Sequence, residues 1–171
     1  MRVTLRAVRV DLQTNVPVLL LQESAGDART LPIYIGTPEA TAIAYAVQGV
    51  EVERPLTHDL LADVIKSLDA ETEEVVITSL EGTTYIAELH LRRLDGLTIV
   101  SARPSDAVAL AVRTGAPLFV ADELMAAEGV LLAEDELGDE SDDEDEAEEA
   151  EVVVEEFREF LDTLRPEDFS G

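Results

Sequence analysis

Between Glu134 and Glu151, 13 of 18 positions are Asp or Glu. Such a segment repels itself and offers almost nothing apolar to bury, so it is expected to stay disordered. It confines the fold to what precedes it. Residues 1–133 carry 10 Lys and Arg against 19 Asp and Glu, a balance of −9, while residues 134–171 carry 2 against 19, a balance of −17. The expected organisation is a folded domain over 1–133, an acidic disordered linker over 134–151, and a C-terminal amphipathic helix with its tail over 152–171. In that helix Val153, Phe157, Phe160, Leu161 and Leu164 share one face ahead of Pro166. A helix this short is marginal alone in water, so it needs a docking surface, and it makes the acidic tail the expected contact for a protein partner.

Several classes of protein are excluded. The chain has no cysteine, hence no disulfide, no zinc-thiolate site and no cysteine nucleophile, and a metal site could draw only on carboxylates and the two histidines, His58 and His90. No run approaches the roughly 20 apolar residues that span a bilayer, and "MRVTLRAVRVDL" alternates where a signal peptide would be continuously apolar. A cytoplasmic protein without membrane contact is expected. P-loop, Rossmann, H-E-x-x-H, EF-hand and G-x-S-x-G patterns are absent, as is a basic stripe or aromatic-rich sheet of the kind that binds nucleic acid.

Periodicity divides the domain. Val3, Leu5 and Ala7 alternate in one phase and Val8, Val10 and Leu12 in the other, which predicts a strand with a β-bulge near Ala7 and Val8. "PVLLLQ" (17–22) and "LPIYIG" (31–36) read as two further strands, the first apolar on both faces and so central. "GTPEATAIAYAVQG" reads as a helix with Thr37 as N-cap and Pro38 at the first helical position. A second helix begins in "LTHDLLADVIKSLD", where Thr57 can cap, and carries Leu60, Leu61, Val64, Ile65 and Leu68 as an apolar stripe. From Val75 the period returns to two, with turns at Glu81-Gly82 and Asp95-Gly96, giving a three-stranded meander. A third helix opens at Pro104, or at Asp106 with Ser105 as cap, and is apolar from Ala107 to Val112. Next come a short strand in "APLFVA" and a short helix or turn in "DELMAAEGVLL". The fold class is α+β: a mostly antiparallel mixed sheet with about three main helices.

Each main helix start pairs a hydroxyl with an acid: Thr37 with Glu39, Thr57 with Asp59, Ser105 with Asp106. Capping and the helix dipole account for such acids. They do not account for Arg103, a cation at the wrong end of a dipole, which must pair with Asp106, Asp59 or Glu39 or await an anion. His58, beside Asp59 and near Arg54, is a candidate general base or metal ligand against the plainer role of a solvated histidine. His90 shares an open strand face with Glu88 and Arg92 and is the weaker candidate.

At these residues the chain resembles the bifunctional nuclease domain family over about residues 1–131. "LPIYIGTPEATAIA" (31–44), "RPLTHDLL" (54–61) and "ARPSDAVALAVR" (102–113) carry the resemblance, in the expected order and spacing. It implies an α+β fold and DNase and RNase activity, and hence a nuclease that hydrolyses phosphodiester bonds of single-stranded RNA or DNA. It picks out Glu39, Arg54, His58, Asp59, Arg103, Ser105 and Asp106. In the site it implies, Glu39, Asp59 and Asp106 hold Mg²⁺ or Mn²⁺, His58 and these carboxylates do the catalysis, and Arg54, Arg103 and Ser105 bind substrate. The alternatives are a non-catalytic protein-interaction module and a small-anion sensor built on helix N-termini. A meander with apolar residues on both faces also points to a homodimer.

Overall fold

The two phases of the N-terminal run are joined by a bulge, as their alternation requires. In β1 (Arg2–Asp11) the pairing with β2 (Val16–Glu23) steps from Leu5↔Leu21 to Ala7↔Leu20, which leaves Arg6 as the extra residue, one position before the expected place. The structure, a computed structural model, describes residues 1–132. The expected linker over 134–151 and helix over 152–171 lie outside the described residues.

β3 (Thr30–Tyr34) pairs antiparallel with β2, and the loop between them is closed by an ion pair from Arg29 to the buried Glu23, 2.6 Å long. The helices α1 (Thr37–Val47) and α2 (Thr57–Ser67) follow, then the meander of β4 (Glu71–Glu81), β5 (Thr84–Arg93) and β6 (Gly96–Ala102). The chain ends its described part with α3 (Pro104–Thr114), β7 (Leu118–Val120) and α4 (Asp122–Glu128). One seven-stranded sheet results, in the order β3-β2-β1-β7-β4-β5-β6. The three residues of β7 join its halves, running antiparallel to β1 and parallel to β4, so the sheet is mixed and mostly antiparallel.

The helices cover one face of this sheet. Ala107 through Ala111 of α3 are all buried, because α3 lies between α1, α2 and the strands β4 and β5. Gly115 closes α3 in the left-handed region (φ 72°), where a side chain would be strained. On α2 the expected stripe divides: Ile65 is buried with Ala62 half-buried beside it, whereas Leu60, Leu61, Val64 and Leu68 face outward. Packed mainly along α3 and less along β4, α2 forms the margin of the helical layer.

The sheet edges differ. β3 carries Pro32 and is bridged at Thr30 by Val130, which covers part of its edge. The β6 edge has no charged residue and no proline, and exposes Leu97, Ile99 and Val100. No helix among the described residues is long and apolar enough to cross a membrane.

Candidate active site

All three main helices begin earlier than hydroxyl capping would place them: α1 and α2 by one residue, and α3 by two relative to a Ser105 cap, at the Pro104 start that was the other expectation. Gly36, Leu56 and Arg103 occupy the N-cap positions in extended geometry, and none makes a side-chain capping bond. Thr37, expected as a cap, is the first residue of α1, and its carbonyl accepts a bond from the Thr41 hydroxyl (2.9 Å). Thr57 likewise lies inside α2, and α3 starts at Pro104. The shift puts Glu39, Asp59 and Asp106 at the third helical position in each case, where a carboxylate can fold back over the N-terminus.

Each acid uses that position differently. Asp59 accepts the Leu56 amide (2.9 Å) and the Nε–H of Arg113 (2.5 Å). Asp106 accepts two bonds from Arg103, at 2.7 and 3.1 Å, and lies 3.1 Å from His58 Nε2. Glu39 meets Arg103 from the other side, 2.8 Å from Nη2. The Glu39 carboxylate lies so close over Gly36 that a Cβ there would stand 2.3 Å from Oε2, which is what the glycine permits. Arg103 thus ties the first turns of α1 and α3 together, and His58 adds that of α2.

Glu39, His58, Arg103 and Asp106 line one open pocket of about 600 Å³, with Pro38, Thr41, Ala42, Pro55, Leu56 and Thr57 completing its wall. The other expected site residues are placed elsewhere. Asp59 turns away from the pocket toward Arg113, and Ser105 is buried and absent from the wall. Arg54 is exposed one residue before the lining Pro55 and makes no ion pair or hydrogen bond among the described residues. His90 sits on the opposite face of the sheet, between Glu74 (2.8 Å) and Glu88 (3.2 Å).

Arg113 was not among the expected residues. Its side chain is 9% exposed, and it bonds Asp59, the Ala109 carbonyl (2.9 Å) and the Ala42 carbonyl (3.0 Å), so it locks all three helices behind the pocket. A signal was present in the sequence: Arg113 directly follows a helical run that is apolar from Ala107 to Val112, and a cation drawn into such surroundings needs a partner.

Electrostatics keeps Asp59 and Asp106 ionised. The Arg113 hydrogen bond holds the Asp59 carboxyl below the usual carboxylate range against the opposing effect of burial. For Asp106 burial is the largest single influence and pushes upward, but the bonds from Arg103 and then His58 together outweigh it and hold the group low. On Arg103 the Asp106 and Glu39 carboxylates raise the pKa further.

The expected metal ligands do not fit a divalent ion as they stand. Among the described residues no three His, Asp or Glu side chains are close enough to share one. The oxygens of Glu39, Asp59 and Asp106 are taken up by two arginines, an imidazole and a backbone amide, where Mg²⁺ requires an oxygen-rich shell.

A mixed seven-stranded sheet covered on one face by helices whose starts converge on a His–Asp–Arg–Glu cluster defines the class. A family model, the bifunctional nuclease domain, matches residues 19–133, and the chain belongs to that family. It is 47% identical over 164 residues, 96% of this chain and 94% of the relative, to a protein of Mycobacterium tuberculosis described as uncharacterized. It is also similar to Bifunctional nuclease 2 of Arabidopsis thaliana, 29% identical over 115 residues, and to Bifunctional nuclease 2 of Oryza sativa subsp. japonica, 27% identical over 121. These cover 66% and 69% of this chain but only 35% and 37% of the plant proteins, so the match spans about a third of those longer relatives.

Proposed function

We propose that the pocket hydrolyses phosphodiester bonds of RNA or DNA. The observation that carries this is the contact between His58 Nε2 and Asp106 Oδ1 at 3.1 Å, within a pocket that also holds Arg103. Asp106 accepts the Nε2 proton, which fixes the tautomer and leaves Nδ1, without a partner among the described residues, as the basic nitrogen. His58 then takes a proton from the attacking water as the new O–P bond forms. The P–O bond to the leaving oxygen breaks, and that oxygen receives a proton from the imidazolium or solvent. Arg103 supplies the charge that the phosphate demands. Its Nε and Nη2 are held by Asp106 and Glu39, while Nη1 has no partner among the described residues, and the side chain is 66% exposed.

A divalent ion that assisted would have to displace Arg113 from Asp59 or Arg103 from Asp106, and rates with Mg²⁺, with Mn²⁺ and with a chelator measure that directly. The second reading, a small-anion or protein-binding module, is favoured by one observation: Arg103 is already matched by two carboxylates, as in a purely structural network. Turnover of a phosphodiester by the wild-type chain supports hydrolysis. Thermal stabilisation by phosphate without turnover supports the module.

A further inference from the structure

Resting on the reading of the pocket as a phosphodiester-cleaving centre, we infer that its substrate is a phosphodiester of dinucleotide size, carrying one phosphate, and not a long nucleic acid. The first ground is charge. The chain carries a formal −26, and residues 1–133 alone hold 19 acids against 10 Lys and Arg. Proteins that hold long nucleic acids neutralise about 6–10 phosphates with Lys and Arg and release the counterions. Around this pocket Arg113 is spent on Asp59 and Arg103 is flanked by Glu39 and Asp106, which leaves the exposed Arg54 as the cation with no ion pair among the described residues near the wall. Repulsion scales with the product of the two charges, so a polyanion is opposed many times more strongly than a single phosphate.

Shape supplies the second ground. A volume of about 600 Å³ lies in the range of small-molecule sites and accommodates one phosphate with its two flanking groups. Single strands are usually tracked by successive bases stacking on aromatic rings along a basic groove. Among the described residues no Phe, Tyr or Trp lines this pocket; Pro38, Pro55 and Leu56 stand in the wall where stacking rings would be needed. One exposed guanidinium edge, that of Arg103, fits one phosphate.

The test uses the full-length protein with a dinucleoside monophosphate, ribo and deoxy, beside single strands of about 20 nucleotides, from about 50 to about 200 mM NaCl. The expected result is a kcat/KM per bond about tenfold or more higher for the dinucleotide at low salt, changing less than about twofold with salt. Cleavage of the long strand is expected to rise with salt as screening relieves repulsion, the opposite sign to a nuclease with a cationic track. A long strand cleaved as fast or faster per bond, or cleaved more slowly as salt is added, overturns the inference while leaving phosphodiester cleavage in place. Cleavage of neither overturns both.

Discussion

His58 Nε2 stands 3.1 Å from Asp106 Oδ1, so the first turns of α2 and α3 meet through a polar contact at the floor of an open pocket. Capping requires no such contact: at α2 it is met within the helix start itself, where Asp59 accepts the Leu56 amide. What brings the two together is the packing of both helices against each other, held from behind by Arg113.

Arg113 is therefore expected to matter more for stability than any residue of the pocket. Arg113→Ala leaves Asp59 ionised and half-buried without its partner and removes two bonds to carbonyls, and should cost about 3 kcal/mol in urea unfolding. Arg113→Lys keeps the charge without the planar fork that reaches α1, α2 and α3 at once, and should recover only part of that loss.

Gly36→Ala tests how the pocket is set from outside it. The backbone there (φ −76°) accepts alanine, but the new Cβ would stand 2.3 Å from Glu39 Oε2 and push that carboxylate off Arg103. Unfolding stability should change by only about 1 kcal/mol, the cost of one partly exposed charge pair, while steady-state kinetics show a several-fold rise in KM as Arg103 loses its orientation.

Much of this arrangement was legible in the sequence, and the reasons differ element by element. The Asp95-Gly96 turn and the alternation after it located β5 and β6, because a two-residue hairpin leaves little freedom of register. β4 begins at Glu71, earlier than the apolar run from Val75, since Glu74 pairs with His90 on the open face, where no apolar signal exists. The place of the three-residue β7 at the centre of the sheet could not be read, because a strand that short takes its position from its neighbours. The acids were visible as a set, but their partners were not. Which carboxylate meets Arg103 and which meets Arg113 depends on how the helices pack, a contact some 50 residues apart in the chain.

Acid should weaken the helical layer through the same ion pairs. Asp59 and Asp106 titrate lower folded than unfolded, so the stability they contribute is present above the ordinary carboxylate value, near 4, and is lost as pH falls through their depressed folded values. Urea midpoints should be level above about pH 5 and drop steeply below about pH 4. In Asp59→Asn that drop should be shallower; an unchanged slope would remove Asp59 from the account.

Homodimerisation, if it occurs through the sheet, is expected at the uncovered β6 edge, where two copies would pair antiparallel with no charge opposed to a like charge. The chain has no native cysteine, so single cysteines placed at 97 to 101 report this without background. One position, where a residue faces its own copy at about 5 Å, should crosslink readily, and a control at Val64 on α2 should not. Crosslinking at Val64 alone would move the interface to the outward leucines and valines of α2.

The most direct measurement is turnover of a dinucleoside monophosphate by wild type, His58→Gln and Asp106→Asn, with a thermal melt of each. The account predicts that both substitutions lower kcat by about 100-fold or more, the usual contribution of a general base, while each melting temperature stays within a few degrees of wild type. Variants that keep wild-type turnover, or that lose turnover only as they lose the folded state, would contradict it.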